Sequence, residues 1–135
     1  MSADVALQDG IFAALVASAD VAELVGARVF DNAPPRVAYP YVTFGPSEVL
    51  NDDQELIASD HLVLQIDVWT QEAGAKRGAK LITAAIERVL SAPVELAAPY
   101  GLQLLRVVKT RVLGDPDEGV AHGVMTVEAW VQELP

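Results

Sequence analysis

Between His61 and Thr70 apolar and polar positions alternate. Leu62, Leu64, Ile66 and Val68 fall in one row, and His61, Val63, Gln65, Asp67 and Trp69 in the other. A period of two over this length predicts a half-buried β-strand. The same period recurs near the C-terminus, where Met125, Val127, Ala129 and Val131 form the predicted inner row. That strand and the preceding "LQLLRVVKTRVL" are joined by "GDPDEG", whose Asp, Pro and Gly residues suit a tight connection between antiparallel partners. A further strand is expected over "YVTFG" at 41–45, with "RVF" at 28–30 as a candidate start ahead of a proline-rich loop.

Elsewhere the period is helical. Leu7, Ile11, Ala14 and Leu15, with Phe12 and Val16 widening the same face, predict an amphipathic helix over 4–17. In "SADVAELVG", Asp20 is expected as N-cap, Glu23 completes a capping-box spacing, and Gly26 stands where a helix ends. The principal helix is predicted in "QEAGAKRGAKLITAAIERVL", with Ala79, Ile82, Ala85, Ile86, Val89 and Leu90 on its apolar face and Lys76, Lys80, Thr83 and Glu87 on the other. It should stop before Pro93. The fold class implied is α+β: a mainly antiparallel β-sheet with one long and one or two shorter helices packed on it. One domain over 1–135 is expected, without internal repeats.

Charge narrows the function. The formal charge is −10, from 9 Lys plus Arg and 19 Asp plus Glu. Residues 1–70 carry −9 of it and residues 71–135 only −1. Such a balance works against neutralising phosphates, so specific nucleic-acid binding is not expected. The absence of cysteine removes disulfides and thiolate chemistry. No run of about 18 apolar residues suggests a membrane span, and the acidic N-terminus lacks a signal-peptide pattern, so synthesis in the cytoplasm is expected.

No pattern in the chain points to catalysis, and no cofactor or metal is expected. His61 and His122 lack partners at zinc-site spacing and are read as ordinary strand residues. "GPS" at 45–47 is not a nucleophile elbow, and "GAKRGAK" is not a phosphate loop. "NDDQE" and "DPDEG" lack the ligand run of a calcium loop. Trp69 and Trp130 fall opposite the apolar rows of their strands, which suits either a second packed layer or burial against a neighbouring subunit.

Taken together, "AELVGARVFDNAPP", "YPYVTFG", "LQIDVWTQEAGAKRGAKLITAAIERVL" and "RVLGDPDEGVAHGVMTVEAWV" resemble the tail completion or tail terminator proteins of long-tailed phages and phage-like gene transfer particles. The resemblance runs from about Leu7 to about Glu133. It implies a structural virion protein that forms a ring, commonly of six copies, at the head-proximal end of the tail tube. The expected partners are other copies of itself, the tail tube protein and a neck adaptor or stopper, with DNA passing through unbound. The alternatives are an adaptor or stopper of the neck itself, or a small-molecule-binding α+β domain. With no catalytic residue implied, the candidate sites are interfaces: Arg28, Arg36, Tyr39 and Tyr41 in and beside the proline loop, together with Trp69 and Trp130. The proline loop and the segment from Pro46 to Asp60 are expected to dock partners, and Asp52, Asp53 and Glu55 are candidate acids facing the channel.

Overall fold

The two predicted apolar rows form the centre of the sheet. In the computed structural model, which describes residues 1–50, 59–115 and 118–135, Leu62, Leu64, Ile66 and Val68 lie on β3 (Ser59–Gln71) and are almost completely buried. Met125, Val127, Ala129 and Val131 on β5 (Val120–Glu133) are buried with them. β3 and β5 pair antiparallel over their whole length, from Ser59 opposite Gln132 to Gln71 opposite Val120. On one side of this pair lie β2 (Tyr41–Leu50) and the short β1 (Val29–Phe30); on the other lies β4 (Tyr100–Asp115). The sheet order is β1-β2-β3-β5-β4, antiparallel except where β1 runs parallel to β2. "RVF" therefore does not begin the strand at Tyr41 but forms β1, beside it.

Three helices cover one face. In α1 (Ala3–Ala17), Ala3, Leu7, Ile11 and Leu15 are buried among the sheet residues, and α3 (Arg77–Leu90) adds Ala79, Ile82, Ala85, Ile86 and Leu90 to the same core. Gly10 lets α1 come down on the segment after α3, because a Cβ there would stand 2.6 Å from Leu96 Cδ2 and 2.8 Å from the Glu95 carbonyl. α2 (Ala19–Val25) turns sharply away from α1, by 82°.

Four expectations about the helices and strands change. Phe12 and Val16 are exposed at 40% and 39%, since they stand one position beyond the 3-4-3-4 stripe that meets the sheet. Ser18, not Asp20, caps α2: its hydroxyl accepts from the Val21 amide at 3.3 Å while its own N–H closes α1 on Leu15. Thr83 is buried rather than solvent-facing, because β5 has only Gly123 beneath it; a Cβ there would lie 2.8 Å from the Thr83 methyl. Residues 71–76, expected in the principal helix, instead finish β3 and turn through Ala73 and Gly74, both at positive φ, before α3 starts at Arg77. Gly26, at φ 61°, does close α2 as expected.

Candidate functional site

With all three helices on one side, the opposite face of the sheet has no covering layer among the described residues. Its positions are set by strand parity: residues alternating with the buried rows point there. The histidines and tryptophans of β3 and β5 all do so, and they meet in pairs. His61 stacks on Trp130 with ring centroids 4.4 Å apart, and His122 stacks on Trp69 at 3.8 Å. Each imidazole also reaches a carboxylate one step along the partner strand: His61 Nε2 donates to Glu128 Oε1 at 2.6 Å, and His122 Nε2 to Asp67 Oδ1 at 2.7 Å.

The two halves are copies of one another. "HLVLQIDVW" at 61–69 and "HGVMTVEAW" at 122–130 share the pattern H-x-V-x-(Q/T)-x-(D/E)-x-W. The antiparallel register sets His61 opposite Trp130, Gln65 opposite Thr126 and Trp69 opposite His122. A local two-fold axis through the Gln65/Thr126 pair therefore carries each histidine, acid and tryptophan onto its counterpart. The expectation of no internal repeat is thus corrected. The repeat is nine residues long with only five recurring side-chain positions, and its sense becomes visible only once β3 and β5 are seen to pair with each other. Both histidines lie on strands, as expected, and each in addition stacks on a tryptophan and meets a carboxylate, which its sequence setting did not show.

The halves differ in their surroundings. Glu128 also accepts two hydrogen bonds from Arg106, at 2.9 and 3.1 Å, and the Arg106 guanidinium lies 5.7 Å from the Trp130 ring. Desolvation pushes the Glu128 carboxyl up, but the hydrogen bonds from Arg106 and His61 outweigh it and hold it below the ordinary glutamate range. Asp67, buried, has Gln65 as its second donor at 2.9 Å instead of an arginine.

At the His122 end the stack continues into the proline loop. Trp69 lies 6.3 Å from Tyr41, Tyr41 lies 5.3 Å from Tyr39 and 6.4 Å from Phe30, and the Trp69 indole donates to Thr43 Oγ1 at 3.1 Å. Burial raises the Tyr41 phenol above its ordinary value, with Tyr39 adding to the effect. The loop is tied down by Arg28, whose Nε donates to the Pro40 carbonyl at 2.7 Å. Its crest carries the exposed Arg36 at positive φ, and the Tyr39–Pro40 bond is cis.

Of the residues singled out in the sequence, the fold thus gathers Arg28, Tyr39, Tyr41 and Trp69 at one end of the helix-free face. Arg36 stands apart on the loop, and Trp130 lies at the other end, with His61 and Arg106. Asp52, Asp53 and Glu55 lie outside the described residues. The segment from Pro46 to Asp60 is not all loop, because β2 continues to Leu50 and β3 begins at Ser59. His61, Asp67, His122 and Glu128 were not among the residues singled out. Among the described residues no three His, Asp or Glu side chains converge to hold a metal ion.

Comparison with known proteins places this geometry. No curated protein matches the chain. A chain in the solved structure of the virion of a native gene transfer agent particle is 27% identical, with a TM-score of 0.84, the match covering 96% of this chain and 97% of that one. The gp17 protein of bacteriophage SPP1 shares the fold at 20% identity and a TM-score of 0.65, over 94% of this chain and 89% of that one. The family model of tail completion protein gp17 matches residues 9–132, so that over nearly its whole length this chain belongs to the tail completion protein gp17 family.

Proposed function

We propose that this protein, acting as one domain over 1–135, is a structural component of a phage-like particle. In this reading several copies, six in the assembled particle, form a ring at the head-proximal end of the tail tube, ending the tube and joining the tail to the neck. The observation that carries the reading is the near full-length structural match, in both directions, to a chain of a gene transfer agent virion, together with family membership over 9–132. Its partners are other copies of itself, the tail tube protein and a neck adaptor or stopper. The charge of −10 supports passage of DNA without specific binding, since phosphates meet net repulsion.

The helix-free face supplies the contact chemistry of a structural protein. Tryptophan, tyrosine and arginine are the residues that most often anchor protein interfaces, and Tyr39, Tyr41, Trp69, Trp130, Arg28 and Arg36 are presented on or beside one face. Proline restrains the arm that carries Arg36 and Tyr39, which lowers the entropy lost on docking.

Particles made without the protein test this. The terminator reading expects tubes of uncontrolled length and heads without tails, and several copies of the protein at the neck of normal particles by mass spectrometry or reconstruction. Tubes of normal length that merely fail to join heads would instead favour the neck adaptor, and joined particles in normal number would overturn both.

A further inference from the structure

Among the described residues the sheet has two open edges. β1 shields β2 only at Val42 and Thr43, so from Phe44 to Leu50 no strand lies beside β2 on its outer side. On the far side β4 is the last strand over all 16 of its residues. Pro46 has no N–H and a bulge interrupts β2 between Phe44 and Ser47, so the stretches that invite another strand run from Ser47 to Leu50 on β2 and from Tyr100 to Gly114 on β4.

The two edges are complementary on both faces. On β2, Glu48 stands opposite Val63 and so belongs to the helix-free face, whereas Val49 stands opposite Leu62, on the helix side, and is 48% exposed. On β4, Arg106, Lys109 and Arg111 stand opposite Glu128, Thr126 and Val124, again on the helix-free face. Arg106 is engaged with Glu128; Lys109 and Arg111 have no ion-pair partner among the described residues. On the helix side, the start of β4 borders a cleft of about 320 Å³ of mixed polar and apolar surface, lined by Leu90, Ser91, Val94, Leu102, Gln103 and Leu105 among others. An acid beside an exposed valine thus answers a basic row followed along β4 by a cleft with Leu102 and Leu105 in its wall, each on the matching face.

We propose that β4 of one copy lies along the free edge of β2 in the next copy, with Val49 beside Leu105 at the border of the cleft on one face and Glu48 at the near end of the basic row, within reach of the long Lys109 side chain, on the other. The inference rests on the ring reading above and adds which surfaces close the ring. Two β4 edges brought together would set basic side chains against each other, and like charges facing across strands are unfavourable. Two bulges, between Leu102 and Leu104 and between Val107 and Lys109, together with the charges, also discourage pairing with an arbitrary strand. The β2-to-β4 contact uses a different surface on each partner, so it repeats head to tail and closes into a ring when the rotation permits.

Charge reversal and cross-linking test it on full-length chains. Glu48, Lys109 and Arg111 are exposed, so their substitution should leave the circular dichroism spectrum and melting point unchanged. Glu48→Lys alone, and Lys109→Glu with Arg111→Glu, should each lower the fraction of closed rings about tenfold or more, and combining all three changes should restore it. Because the chain has no cysteine, Val49→Cys and Gln103→Cys can be placed on separate copies and joined with a short bismaleimide. Cross-linked dimers from the mixture, but from neither variant alone, are expected. Rings that close normally with Glu48→Lys, or that never cross-link between these positions, overturn the edge assignment and leave the ring reading standing; a single copy at the particle neck overturns both. Normal rings in which Lys109→Glu and Arg111→Glu alter only DNA retention would assign the basic row to DNA instead.

Discussion

Glu128 is the residue at which the electrostatics of the helix-free face can be read directly. Its carboxyl lies below the ordinary glutamate range because Arg106 and His61 donate to the ionised form. The folded state therefore binds this proton less readily than the unfolded chain, so the contribution to stability is complete above the ordinary value of about 4.3 and is lost as pH falls through the lower, folded value. Glu128→Gln should reduce stability at neutral pH, and its deficit relative to the parent chain should shrink on acidification below about pH 4, as followed by urea denaturation at several pH values. A deficit that stays constant across that range would separate Glu128 from the acid response. None of this was legible in the sequence. His61 and Glu128 are 67 positions apart, and only the β3–β5 register, fixed by which apolar rows share the core, makes them neighbours.

At the level of elements, hydrophobic period identified the strands and helices where burial is one-sided, as in β3, β5 and α3. It failed where the neighbouring backbone is unusually close or two residues compete for one role. Thr83 has the polarity of a surface residue, yet Gly123 leaves a space beneath it that its methyl fills. Ser18 and Asp20 are both good caps, and Ser18 is the one used because it also terminates α1 on Leu15. Gly10 tests the same closeness from the other side. In a free helix, alanine there would gain about 1 kcal/mol over glycine. Here the added Cβ meets the Glu95 carbonyl, a backbone atom that cannot step aside, so Gly10→Ala should destabilise the protein by about 1–3 kcal/mol in chemical denaturation. A stabilised variant would show that α1 is free to lift from the segment following α3.

Over the whole molecule, the sequence conveyed the two-layer architecture and the placement of both tryptophans on the uncovered side. It did not convey that the two strands bearing them pair with each other. That pairing creates a half-turn symmetry in the middle of a subunit whose edges are unlike, and this bears on orientation. A head-to-tail assembly has an up and a down, yet the His, Asp or Glu, and Trp pattern looks alike from both. In the ring proposed above, a partner that touched only this patch would have no means of telling the tube side from the neck side. Direction must be read from what breaks the symmetry: Tyr41 and the proline loop beyond one histidine, and Arg106 beyond the other. A binder selected against the central patch alone should therefore dock in two poses half a turn apart, while one whose footprint takes in Tyr41 should dock in a single pose that Tyr41→Ala makes ambiguous.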